Sequence, residues 1–332
     1  MTQQNKISRR AFIVRYTKAG FSAAAAVALA GWLYESDPAK ISLQSDNIVD
    51  AMNYSTPSVA GKTMSIVTGP GRQTTVTKAV ELLGGMERFV KPGEKVLLKP
   101  NVGFAMPPRV CATTHPELIA QVIKLCYQAG AKKVFIADNP INDPKSCFEL
   151  TQIASAAQKN GAEILLPRQD YFKPITLKGA ELITNWQILY EPLKKVDKVI
   201  GLAIVKDHKR SIASMSMKNW YGLLGGNRSI FHQDIDKIIV ELAMLIKPTL
   251  VILDATQVMV SNGPTGGSES DLKQANTMIA SCDQVAADSF GASLLDLKPQ
   301  DIPYLVNAEK LGLGTTNYQS LKPLYAQVGG AG

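Results

Sequence analysis

Short apolar runs bounded by turn residues alternate with helical periodicity from residue 64 to residue 295, and this alternation constrains the fold most. Met64–Thr68, Lys95–Lys99, Lys133–Ala137, Glu163–Leu166, Lys198–Val205, Leu250–Leu253 and Thr277–Ala280 read as strands. Helices are expected over 77–89, 114–130, 148–160, 192–196, 234–246 and 284–295, with Thr114 and Glu117 at capping-box spacing. Runs such as KVIGLAIV are apolar at nearly every position, as a strand buried on both faces requires. The sequence therefore predicts an α/β fold over residues 63–332, a mostly parallel sheet flanked by helices with Rossmann-like layering. The stretch Ile175–Trp186 breaks the rhythm and reads as a hairpin-like insertion.

Ligands of open α/β sheets bind at the carboxyl ends of the strands. The polar residues at those ends are Lys99 and Asn101, Asp138 and Asn139, Lys206 and His208, and Asp254 with the loop Ser261 to Gly267. Between them lie Lys218, Asn219 and His232. Lysine ammoniums suit phosphate or carboxylate, and Asn262, Gly263 and Gly267 sit in a loop whose backbone could approach an anion closely. His208 and His232 are candidate proton-transfer groups, with Asp254 as a third. Asp138 and Asp254 are candidate ligands of a divalent metal. Blander readings stand beside these: Asp138 as a cap, Asn262-Gly263-Pro264 as a turn, His115 as a helix-start residue, Lys209 and Arg210 as solvated surface. A P-loop, the Gly-x-Gly-x-x-Gly dinucleotide fingerprint and the Gly-x-Ser-x-Gly elbow are all missing, which excludes their chemistries.

The first thirty residues follow a different logic. Ser8-Arg9-Arg10-Ala11-Phe12, followed by the apolar run AGFSAAAAVALAGWL, resembles a twin-arginine export signal. Ala28-Leu29-Ala30 offers a small-x-small cleavage pattern, and the run is shorter than the ~20 residues of a comfortable membrane span. The expectation is a signal peptide over 1–30, a polar linker over 31–62, and export to the periplasm through the Tat translocase. The alternative is an uncleaved membrane anchor. Setting aside Lys6, Arg9, Arg10, Arg15 and Lys18 lowers the net charge from +8 to +3, too mild for a nucleic-acid partner. Hydrophobic content of 45% with 19% charged residues is that of a folded globular chain. Cys111, Cys126, Cys147 and Cys282 include no Cys-x-x-Cys pair, which argues against an iron–sulphur cluster within this chain.

The ordered series Lys99-Pro100-Asn101, Thr114–Glu117, Gly130-Ala131, Asp138, Lys206-Asp207-His208, Lys218-Asn219 with Gly222, His232, Asp254, Asn262-Gly263-Pro264, Gly267, Asp283 and Asp288 resembles the bacterial and archaeal domain of unknown function 362. The resemblance runs from about residue 95 to 314. It implies the same α/β fold and the same site list but no reaction. Relatives fused to ferredoxin-like modules imply that any iron–sulphur role here belongs to a separate partner protein. The expected function is an exported enzyme acting on a small anionic substrate, metal- or redox-linked. The alternative is a non-catalytic anion-binding protein or an accessory protein of a redox complex.

Overall fold

The structure, a computed structural model, describes residues 48–329. The expected signal peptide and residues 31–47 of the expected linker lie outside the described residues. The rest of that linker is not featureless, because β1 (Ile48–Val49) and β2 (Met52–Asn53) are drawn into small sheets. The strands that follow are β3 (Met64–Thr68), β4 (Lys95–Pro100), β5 (Lys133–Ile136), β6 (Glu163–Ile164), β7 (Phe172–Leu177), β8 (Trp186–Leu189), β9 (Lys198–His208), β10 (Ile212–Ser214), β11 (Ile246–Lys247), β12 (Leu250–Met259), β13 (Leu272–Ser281) and β14 (Leu324–Gln327). The helices are α1 (Arg72–Leu82), α2 (Met86–Phe89), α3 (Pro116–Gln128), α4 (Pro144–Leu150), α5 (Ile153–Lys159), α6 (Glu191–Lys194), α7 (Ser216–Asn219), α8 (Ile235–Leu245), α9 (Gln284–Leu294) and α10 (Pro303–Lys310).

The main sheet is ordered β14-β3-β13-β12-β9-β4-β5-β6, with β10 folded back onto β9. Every pair along it is parallel except those of β13, which runs antiparallel to both β12 and β3. The fold is thus α/β with a mostly parallel sheet. Side chains alternate between two apolar layers, as the period of a strand dictates. Val96, Leu98, Ile200, Leu202 and Ile252 pack against α1 and α3, whereas Leu97, Val199, Ala203 and Val251 pack on the side of α8 and α9. Each fully buried aliphatic side chain contributes about 1.5–3 kcal/mol, so the doubly buried strands β4, β9 and β12 anchor the domain. The expected hairpin insertion is β7 paired antiparallel with β8, supplemented by β1.

Several elements differ from their sequence reading for identifiable reasons. Helix 77–89 begins earlier, at Arg72, and is broken at Gly84-Gly85, both with positive φ. Helix 148–160 is two helices separated at Gln152, which is left-handed at φ 61. Thr114 does not cap α3: His115 does, its Nδ1 accepting from the Glu117 amide at 3.3 Å. Thr114 instead accepts from the Asn101 amide and donates to the Leu202 carbonyl, each at 2.8 Å, tying the turn after β4 to β9. Finally, β12 runs on past Asp254 to Met259, because the antiparallel ladder to β13 continues from Val251↔Ser281 to Met259↔Leu272.

Candidate functional site

A cavity of about 850 Å³ opens beyond the carboxyl ends of β4, β5 and β9. Its basic lining is Lys99, Lys206, Lys209, Arg210, Lys218 and Arg228, against a single carboxylate, Asp138. Asn101, His208, Asn219, His232 and Gly263 also line it. Lys206 and His208 reach it together because they are two positions apart on β9 and share a face. Asp207, between them, turns away and its carboxylate accepts from the Gly263 amide at 3.1 Å.

Lys99 is not free to bind an anion. Its buried ammonium lies 2.6 Å from Asp138 Oδ1 and donates to the Pro100 carbonyl and to Asn219 Oδ1. Asn219 in turn donates to the carbonyls of Lys99 and Leu202, stitching α7 to the sheet. Asp138 Oδ2 accepts from the Val102 amide at 2.7 Å, so this carboxylate holds the β4 turn. The pair is packed against Gly222, where a Cβ would stand 1.9 Å from Asp138 Oδ1 and 2.8 Å from Lys99 Nζ. Only glycine permits that approach.

Among the described residues, the other cations of the lining have no such partner. Lys206 is 1% exposed; its Nζ donates to the carbonyls of Ala112 and Pro264 at 2.6 and 3.1 Å and lies over the Phe104 ring. Burial, and then the neighbouring Lys218 charge, lower its pKa to about 7. Lys218 lies over the Tyr221 ring, and burial followed by Arg228 lowers it to about 8. Arg228 donates to the carbonyls of Tyr221 and Leu224. His208 Nδ1 accepts from the amides of Arg210 and Ser211, both at 3.2 Å, which assigns the proton to Nε2. Burial, Lys218 and Lys206 hold its pKa down to about 3. His208 is therefore a neutral hydrogen-bond donor near pH 7, with its Nε2–H free to meet a ligand in the cavity. His232 stacks on Tyr221, its pKa lowered by partial burial and by Lys218 and Arg210.

Three expected site residues stand elsewhere. Asp254 is not among the residues lining this cavity; it pairs with Arg72 at 2.8 Å and accepts from the Thr256 amide, next to Glu117 and His115 at the start of α3. This polar residue, expected at a strand end, lies inside a longer strand and is neutralised by the first residue of α1. Asn262 and Gly267 do not line the cavity either. Their loop holds an anion, but it is the protein's own Asp271, which accepts from Ser261, Asn262 and the Ser268 amide. Asp138 and Asp254 are thus each matched with a separate cation, and no group of three or more His, Cys, Asp and Glu side chains is arranged for a metal among the described residues. Cys111, Cys126 and Cys147 are buried and Cys282 half-buried, all as free thiols.

Tyr221 and Phe104 carry no sequence signal for the site, and Arg228 stands out only as one of the basic residues crowded between 206 and 232. Arg228 and Tyr221 belong to irregular turns between α7 and α8, where no periodicity assigns a facing; the density of basic residues from 206 to 232 was the available signal. Lys209 and Arg210 are exposed, as expected for surface residues, yet they form the rim of the cavity.

The family described as domain of unknown function (DUF362) matches residues 96–293. This chain belongs to the DUF362 family. The match spans β4 to α9 and therefore includes the strand ends and turns that build the cavity. A relative from Synechocystis sp., named a thylakoid-associated protein, is 32% identical over 258 residues, covering 74% of this chain and 76% of its own. A solved lactate racemase apoprotein from Thermoanaerobacterium thermosaccharolyticum aligns at 12% identity with a TM-score of 0.38, over 69% of this chain and 57% of that one.

Proposed function

We propose that this chain is an enzyme acting on a small phosphate- or carboxylate-bearing substrate bound in the cavity beyond β4, β5 and β9. The observation that carries this reading is charge imbalance: six basic side chains face one carboxylate, and that carboxylate is already paired with Lys99. Lys218 and Arg228 would bind the anion, with Lys206 beside it, and the anion would replace the hydration each cation loses on burial. His208 would donate its Nε2–H to a substrate oxygen, and His232 would sit at the edge of the bound ligand.

Calorimetric titration with inorganic phosphate and with short carboxylates tests this. Lys218→Ala and Arg228→Ala should each weaken binding about 10- to 100-fold, the loss of one charge-assisted contact. Affinity should be highest below pH 8 and fall as the pH rises through that value, because Lys218 loses its proton there. Unchanged affinity in both variants, or a pH-independent titration, would remove the basis of the reading. A non-catalytic anion-binding or accessory protein would give the same affinities, so turnover must be measured in His208→Gln. In an enzyme turnover falls far more than affinity.

The reading extends to export. Arg9-Arg10 and the apolar run after them support passage through the Tat translocase, and the related thylakoid-associated protein supports a place at or beyond a membrane. No helix among the described residues is long and apolar enough to cross one. Replacing Arg9 and Arg10 by lysine should leave the protein in the cytoplasmic fraction. Normal export of that variant would refute the twin-arginine route.

A further inference from the structure

We propose that Lys206 is a nucleophilic amine that condenses with a carbonyl group on the bound anion to form an imine. The proposal rests on the anion-binding reading above and narrows its substrate class to small carboxylates or phosphate esters that also carry an aldehyde or ketone. Lys206 is fully enclosed by the domain yet lines the cavity, and among the described residues the lining contains no carboxylate other than Asp138. Asp138 already lies against Lys99. The two acceptors of Lys206 Nζ, the carbonyls of Ala112 and Pro264, match the two N–H bonds of a neutral amine. That leaves the nitrogen's remaining tetrahedral position for a lone pair. A charged ammonium would carry a third proton there, adding a second positive charge to a cavity wall that already holds Lys218.

Both general routes to an activated lysine, desolvation and a neighbouring positive charge, therefore operate on this one side chain. They are the same two causes that bring its pKa to about 7. Two residues further along β9, roughly 7 Å away by strand geometry, His208 presents an N–H to the same space. It is placed to hydrogen-bond the carbonyl oxygen while Lys218 and Arg228 hold the anionic end. In the step itself, the Lys206 nitrogen adds to the carbonyl carbon to give a carbinolamine. Loss of the hydroxyl with the nitrogen's remaining proton, as water, leaves the C=N bond. No electrons are transferred and no further co-reactant is needed.

The test is reductive trapping of the full chain with glyoxylate and cyanoborohydride, which reduces the imine to a carboxymethyl-lysine, followed by peptide mapping. Lys206 should be modified roughly 10- to 100-fold faster than the surface lysines, since a larger share of it is unprotonated at neutral pH. Inorganic phosphate should protect it, and Lys206→Met should lose that modification alone. Mapping of the wild-type protein gives the answer even if the variant folds poorly. Trapping at Lys206 no faster than at exposed lysines, while phosphate still binds by calorimetry, overturns the imine and leaves anion binding standing. Fast trapping at Lys206 that phosphate does not slow supports the amine but overturns anion recognition at this cavity. Absence of both overturns the two readings together.

Discussion

Lys99→Met should destabilise the domain by about 3–5 kcal/mol, the usual consequence of leaving a buried charge without its partner. In this fold the loss corresponds to a fall in Tm on the order of 10 °C. The variant strands Asp138, which is 2% exposed and would retain only the Val102 amide as a donor. It also removes the donor to Asn219 Oδ1, one of the bonds that hold α7 against the sheet. The double variant Lys99→Met/Asp138→Asn keeps an oxygen for the Val102 amide but has no buried charge, and most of the lost stability should return. Thermal melts of the three proteins decide it. If Lys99→Met melts with the wild type, or the double variant is no better than the single, the ion pair is not what secures this end of the sheet.

Asp288→Ala should cost about 2–5 kcal/mol and also weaken anion binding. The Asp288 carboxylate accepts from the amides of Ser216 and Met217 at 2.7 and 2.9 Å, at the buried start of α7. Two buried donors left without acceptors cost about 1–3 kcal/mol each. Because α7 carries Lys218 and Asn219, loosening it disturbs the cavity as well as the core. The same residue imposes a pH dependence. Burial, with a smaller contribution from Asp283, raises the Asp288 pKa from its ordinary value near 4 to about 7. Between those values the native state keeps a proton that the unfolded chain has released, so stability falls as pH rises through that window. Asp288→Asn has no proton to lose there. Its urea midpoint, compared with wild type at pH 5 and pH 7.5, should change less with pH. Parallel profiles for the two proteins would show that Asp288 does not titrate in the window.

The strand ends were legible where a local pattern carried the information. Lys206 and His208 follow a continuous apolar run, and the two-residue period of a strand puts both on one face. Asp254 failed because a polar residue in an apolar run looks like a terminus, whereas the β13 ladder carries the backbone straight past it. The polar groups of the Ser261–Gly267 loop are turned to Asp271, a residue placed beside it by the return of β13, and no local pattern announces that pairing. Arg228 left no periodic signal at all, since its turn has none.

The sequence by itself determined the layering of this protein: apolar strands alternating with amphipathic helices can bury their faces only in an α/β stack, and that pattern is local. Tertiary structure alone decided which charges cancel and which remain. Asp254 finds Arg72 from 182 positions away, Asp138 is taken by Lys99, and Lys206, Lys218 and Arg228 are left facing the cavity with no carboxylate of their own among the described residues. Such pairing depends on how the sheet orders its strands, and no stretch of contiguous residues encodes it.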